Sequence, residues 1–258
     1  MYEKILPIRI SATEWPVSYG GGFIVDGGQN YLIRWLYDLE AIFVERSIHL
    51  VCEIGGGYGA MAQKIRSRFA CKLILIDLPE ANILSAYYLS KHFPDARFLL
   101  ADEVQGKRIT LDDVMRHDVI IIPQWYTLAD DVKVDLFINT RSMMEMNSDV
   151  IKRYFNLIQT HIIEGGFFFN LNRYQKKSVG YPIQFAKYPY DEEWDVVISK
   201  PAWRQDDHHF LITRRTSERG NIGEEMQRIA KRGAQFIPTP HLLQRVKDMA
   251  NRFRRQYL

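Results

Sequence analysis

Residues 49–65 read His49-Leu50-Val51-Cys52-Glu53-Ile54-Gly55-Gly56-Gly57-Tyr58-Gly59-Ala60-Met61-Ala62-Gln63-Lys64-Ile65, and their order decides the fold. An apolar run carries an acid near its end, glycines crowd positions 55–59, and helix-forming residues follow. Glycine lets the backbone turn sharply and come close to a ligand that a Cβ would block. The helix that opens after such a turn presents free N–H groups and a positive dipole end to a negative group. A second apolar run, Lys72 to Ile76, ends in Asp77, where a carboxylate accepts hydrogen bonds from ribose hydroxyls. Strand, glycine turn, helix, strand and acid together point to a nucleoside-containing cofactor at the carboxyl edge of a parallel sheet.

Working outward, residues 30–44 predict a helix through Leu32, Leu36, Leu39 and Phe43, which recur at helical spacing. Helices are also expected over 60–69, over 80–93 with Ile83, Leu84, Tyr87 and Tyr88 on one face, and over 149–163. Strands are expected over 49–54, 72–77, 97–100, 119–122, 135–139 and 167–171, with 194–199 and 208–213 as an antiparallel pair. Strands alternating with helices imply βαβ units and a mostly parallel sheet. The expected organisation is an N-terminal cover and helix over 1–46, a cofactor domain over 47–216 and a helical extension over 217–258. Tyr19 to Phe23 with Asp26 is a candidate cover for the site. In the last helix Leu242, Val246, Met249, Phe253 and Tyr257 share a face, and Arg245, Lys247, Arg252, Arg254 and Arg255 make most of the remainder basic; the helix is expected to pack on its own domain or a second subunit, or to meet an anionic substrate or membrane surface.

The 258 residues carry 47% hydrophobic and 25% charged side chains, the ordinary globular balance. No run approaches the ~20 apolar residues that span a bilayer, and residues 1–16 lack a signal-peptide core. Cys52 and Cys71 lie in or beside expected central strands and read as buried thiols of a cytoplasmic protein. No Cys/His spacing suggests a metal. A net charge of +3 is too small to argue for nucleic acid.

The glycine turn alone fits two patterns. Gly55-x-Gly57-x-x-Ala60 suits a dinucleotide, and Glu53-x-Gly55-x-Gly57-x-Gly59 suits S-adenosylmethionine. Glu53 faces an ammonium comfortably and repels a pyrophosphate; the turn follows nearly fifty residues of chain; and the sheet is expected to close with a reversed strand. These observations favour S-adenosylmethionine. A turn that binds nothing is the bland alternative.

The chain resembles the class I S-adenosylmethionine-dependent methyltransferases, and within them the bacterial sugar O-methyltransferase family. The likeness rests on Ile76-Asp77-Leu78-Pro79, on Ile121-Ile122-Pro123-Gln124-Trp125, on residues 135–146 (Asp-Leu-Phe-Ile-Asn-Thr-Arg-Ser-Met-Met-Glu-Met) and on residues 153–158. It covers roughly residues 20–172, and Arg141 departs from it where a smaller residue is expected. It implies a Rossmann-like α/β fold with a seven-stranded, mostly parallel sheet and an antiparallel last strand. It also implies methyl transfer to a hydroxyl of a sugar, free in a nucleotide-sugar or within a polysaccharide or glycoside. Another small-molecule acceptor, or a cofactor-binding partner subunit without activity, are the alternatives. Assembly through the C-terminal helices is a further expectation.

Holding the reactants in line contributes up to ~7–11 kcal/mol to such a reaction, and a positioned base adds ~10²–10⁴-fold. The cofactor set is expected to be Glu53, Gly55, Gly57, Tyr58, Gly59, Asp77, Leu78, Asp102, Gln124, Trp125 and Asn139. Asp102 competes with Gln124 and Trp125 for the adenine, because two runs could be the third strand. Glu145 is the first candidate base, with a capping carboxylate as its bland reading. His208 and His209 are the alternatives, and adjacent strand residues point to opposite faces, so at most one faces a site. Arg141, Ser142, Asn172 and Arg173 are the expected acceptor contacts, with Asn170 beside them.

Overall fold

The computed structural model describes residues 18–19, 23–24, 29–176, 182–203 and 205–236. The chain divides into two compact units, Met1–Asp135 and Leu136–Leu258.

The first unit runs α1 (Gln29–Glu45), β1 (Leu50–Ile54), α2 (Ala60–Arg68), β2 (Lys72–Asp77), α3 (Pro79–His92), β3 (Phe98–Leu100), α4 (Leu111–Arg116) and β4 (Val119–Pro123). Its strands lie side by side in the order β1-β2-β4-β3. All three pairings are parallel, with Glu53 opposite Leu75 and Ile76 opposite Ile122. Every residue of β1 and β4 is buried, as the continuous apolar runs of a doubly covered parallel sheet require. The rivalry for the third strand is resolved: β4 lies next to β2, and β3 is an extra edge strand. With β3 counted, these strands number eight among the described residues, where seven were expected.

The second unit takes over within β5 (Val134–Thr140) and continues with α5 (Ser148–His161), β6 (Ile162–Arg173), β7 (Trp194–Ala202), β8 (Gln205–Arg215) and α6 (Ile222–Gly233). Its strand order is β7-β8-β6-β5, with β8 antiparallel to both β6 and β7; the expected reversed strand is present. The Asn147 carboxamide caps α5 by accepting from Val150 N–H at 2.9 Å. That helix buries Ile151, Tyr154, Phe155 and Ile158, and Phe155 meets Phe168 edge to face at 5.7 Å. Each such ring, fully buried, contributes about 1.5–3 kcal/mol.

Two local features go beyond the sequence reading. In α3 the buried residues are Asn82, Ser85 and Leu89, while Ile83, Leu84 and Tyr87 are exposed. This face packs closely on the turn after β1: a Cβ placed on Gly59 would lie 3.3 Å from Leu89 and 3.4 Å from Ser85. Helix α4 was not expected. Its start is a capping box in which Thr110 Oγ1 accepts from Asp113 N–H at 3.2 Å and Asp113 accepts from Thr110 N–H at 2.9 Å. Cys52 and Cys71 are free, buried thiols. Among the described residues no helix is long and apolar enough to cross a membrane. Of the N-terminal cover, Ser18–Tyr19 pairs antiparallel with Phe23–Ile24; Asp26, and the final helix with its apolar stripe, lie outside the described residues.

Candidate functional site

In the first unit the glycine turn leaves β1 and enters α2. Gly55 N–H donates to Ile76 O at 2.8 Å, which ties the turn to the end of β2. Gly57 and Gly59 have φ of 60° and 89°, a region that costs a residue with a Cβ about 1–2 kcal/mol. Among the described residues nothing lies within 4 Å of the position a Cβ on Gly57 would take.

Glu53 lies directly beneath. Its side chain is 2% exposed, and its Cδ is 2.7 Å from where a Cβ on Gly56 would sit. Neither carboxylate oxygen has a hydrogen-bond partner. Burial, then the charge of Asp77, push its pKa up to about 8, opposed in part by the N–H of Ala62, which stays outside hydrogen-bond geometry. A buried acid with both oxygens unpartnered is costly on its own; a cation arriving at the turn offsets that cost.

Asp77 joins two turns. Its Oδ2 accepts from Gly57 N–H at 2.8 Å and its Oδ1 from Leu78 N–H at 2.7 Å. The carboxylate thus braces the glycine turn against the start of α3 and keeps lone pairs for hydroxyl donors. Partial burial raises its pKa, and the two amides oppose the rise. Tyr58, Leu78 and Trp125 follow the ends of β1, β2 and β4 and are each about half exposed. Gln124 and Asp102 are also exposed, and Tyr126 Oη–H donates to Ala101 O at 2.7 Å, joining the turns that carry them.

The second unit gathers a different set at the ends of β5 and β6. Asn139 and Asn172 are fully buried. Asn172 Nδ2 donates to Asn139 Oδ1 at 2.8 Å and to Asn170 Oδ1 at 2.7 Å, and Asn172 Oδ1 accepts from Met144 N–H at 3.0 Å. Asn139 Oδ1 also accepts from Met143 N–H at 3.2 Å, and its Nδ2 donates to Ser142 Oγ. These amides hold the loop 141–145 through Ser142, Met143 and Met144. Glu145 is exposed and ion-paired with Lys176.

His208 and His209 point to opposite faces of β8, and both are buried. His209 Nδ1 lies 2.9 Å from Tyr174 Oη and its Nε2 lies 2.9 Å from Ser199 Oγ, which donates to Glu225. Burial, and then Arg232, push its pKa down to about 3; it is a neutral structural link. His208 differs. Its Nδ1 sits 2.7 Å from Asp207 Oδ1, and its Nε2 is buried without a partner. Burial lowers its pKa, Asp207 raises it, and Arg141 and Arg173 add to the lowering. An imidazole so held is neutral, with its proton on Nδ1 toward the carboxylate and a free lone pair on Nε2. Arg173 pairs with Asp207 at 3.3 Å. Sequence reasoning missed Asp207 and Lys176.

Neither a protein-family model nor a curated protein sequence matches the chain. Among solved structures, it is similar to the mitomycin 7-O-methyltransferase MmcR, with a TM-score of 0.50 and 14% identity over 73% of this chain and 53% of that one. The fold is the Rossmann-like methyltransferase fold. The chain spans about half the length of MmcR, and at this identity the likeness carries the fold alone. An O-methyltransferase family 2 protein from Planctomyces limnophilus, solved with apigenin, is a more distant match at a TM-score of 0.45 and 10% identity, over 74% of this chain and 62% of that one.

Proposed function

We propose that the chain is an S-adenosylmethionine-dependent O-methyltransferase whose acceptor is a sugar hydroxyl. The observation that supports this most is Glu53: a buried acid with two unpartnered oxygens under the glycine turn suits the cationic amino-acid end of a methionine nucleoside, whose charge favours the ionised carboxylate. When bound, the cofactor supplies a methyl group already activated on sulfonium sulfur. Gly55, Gly57 and Gly59 shape the cradle, Asp77 takes the ribose hydroxyls while bracing Gly57, and Tyr58, Leu78 and Trp125 offer apolar faces to the adenine. Asp102 and Gln124 stand at its polar edge.

For the acceptor, His208 is the better base than Glu145. Its Nε2 lone pair would take the proton of the acceptor hydroxyl, and Asp207 would hold the ring and stabilise the imidazolium. Glu145 instead fixes Lys176. Ser142, Arg141 and Arg173 provide the polar rim that a polyhydroxyl acceptor needs. The test is mass spectrometry of nucleotide-sugars and glycans incubated with the protein and labelled methyl donor. A product heavier by one methyl group supports the reading; transfer only to non-sugar hydroxyls removes the sugar, and no transfer to any hydroxyl removes the reading.

A further inference from the structure

The residue after β5, Arg141, has φ 63°. Left-handed backbone is ordinary for glycine and rare for a long side chain. Here it is held from both sides. Arg141 N–H donates to Leu171 O at 2.7 Å, and the following residues are gripped by the buried amides of Asn139 and Asn172. A strained conformation persists only where its surroundings over-determine it, and such positions cluster where ligands are held.

The charges nearby are unequal. Lys176 has Glu145 and Arg173 has Asp207, while the exposed Arg141 guanidinium has no carboxylate partner among the described residues. Arg141 therefore lacks the counter-charge that Lys176 and Arg173 each have. A guanidinium matches a carboxylate or phosphate with two parallel hydrogen bonds.

We propose that Arg141 grips an anionic group on the acceptor, so that the acceptor is a sugar carrying a phosphate or a carboxylate and not a neutral sugar. The inference rests on the sugar-methyltransferase reading and narrows its acceptor class. Arg141 then acts on acceptor binding, and its strained backbone is held in place for the sake of that contact.

The experiment measures binding by calorimetry in the presence of S-adenosylhomocysteine. The probes are a nucleoside diphosphate sugar, a sugar monophosphate, a uronic acid and a neutral methyl glycoside; the first three separate phosphate from carboxylate. The proteins are the full chain, Arg141→Gly and Arg141→Gln. At least one anionic probe is expected to bind the wild type tenfold or more tightly than the neutral glycoside. Both variants are expected to lose that margin, with cofactor affinity unchanged. Arg141→Gly is expected to melt a few degrees higher than wild type through relief of strain, while Arg141→Gln, which keeps the strained φ, is not. A neutral glycoside bound as well as every anion, or anion binding untouched in both variants, overturns the inference and leaves the methyltransferase reading standing. Loss of cofactor binding in the wild type sinks the underlying reading instead.

Discussion

Replacing Glu53 by Gln removes the charge without changing the shape, and its effect on stability should depend on pH in one direction. In the folded protein the carboxyl titrates at about 8 against an ordinary 4.5. Because the folded value lies above the unfolded one, the native state binds more protons between them, and stability falls as pH rises through that window. The contribution is fully present below about pH 4.5 and is lost by about pH 8. At about 1.4 kcal/mol per pH unit, the loss comes to about 3–5 kcal/mol. The Gln variant carries no such term. It carries a roughly constant penalty of ~1–3 kcal/mol for a buried amide without partners. Urea unfolding of both proteins from pH 5 to 8.5 is the assay. The wild type is expected to be the more stable at pH 5, and the two curves converge and cross toward pH 8. Curves that run parallel across the range would refute the account of Glu53 as a neutral, desolvated acid.

Gly57→Ala is expected to lower stability by about 1–2 kcal/mol through its positive φ and to weaken cofactor binding further by adding a methyl group at the turn; thermal melting with and without cofactor separates the two. His208→Gln is expected to cut turnover ~10²–10⁴-fold with cofactor affinity intact, and wild-type kcat/KM to fall only at pH values below the ordinary histidine range, since burial depresses this imidazole. Unchanged turnover removes His208 as base. Thr110→Ala is expected to cost about 1 kcal/mol in urea unfolding through loss of the α4 cap.

Local chemistry was legible and direction was not. The glycine turn could be read because a tight turn demands glycine, and the strand before Asp77 because its apolar run stops at an acid. The apolar strands 50–54 and 119–123 showed themselves by composition. The buried face of α3 did not, because it packs on the turn at Gly59, a tertiary fact. Helix α4 is only six residues long, too short for periodicity; its one signal was Thr110-x-x-Asp113. Asn139 and Asn172 were recognised as special, but a sequence does not say whether a carboxamide faces a ligand or the underside of its own loop. The Asp207–His208 contact joins chain neighbours on a strand, where alternation argues against it.

The most direct test of the central claim is calorimetric titration of S-adenosylmethionine into the full chain and into Asp77→Ala. The account predicts a saturable one-site isotherm for the wild type, no binding of a nicotinamide dinucleotide, and a loss of about 10–100-fold in the variant, the weight of a charged hydrogen-bond acceptor. No heat with S-adenosylmethionine, or equal affinity in both proteins, would contradict it.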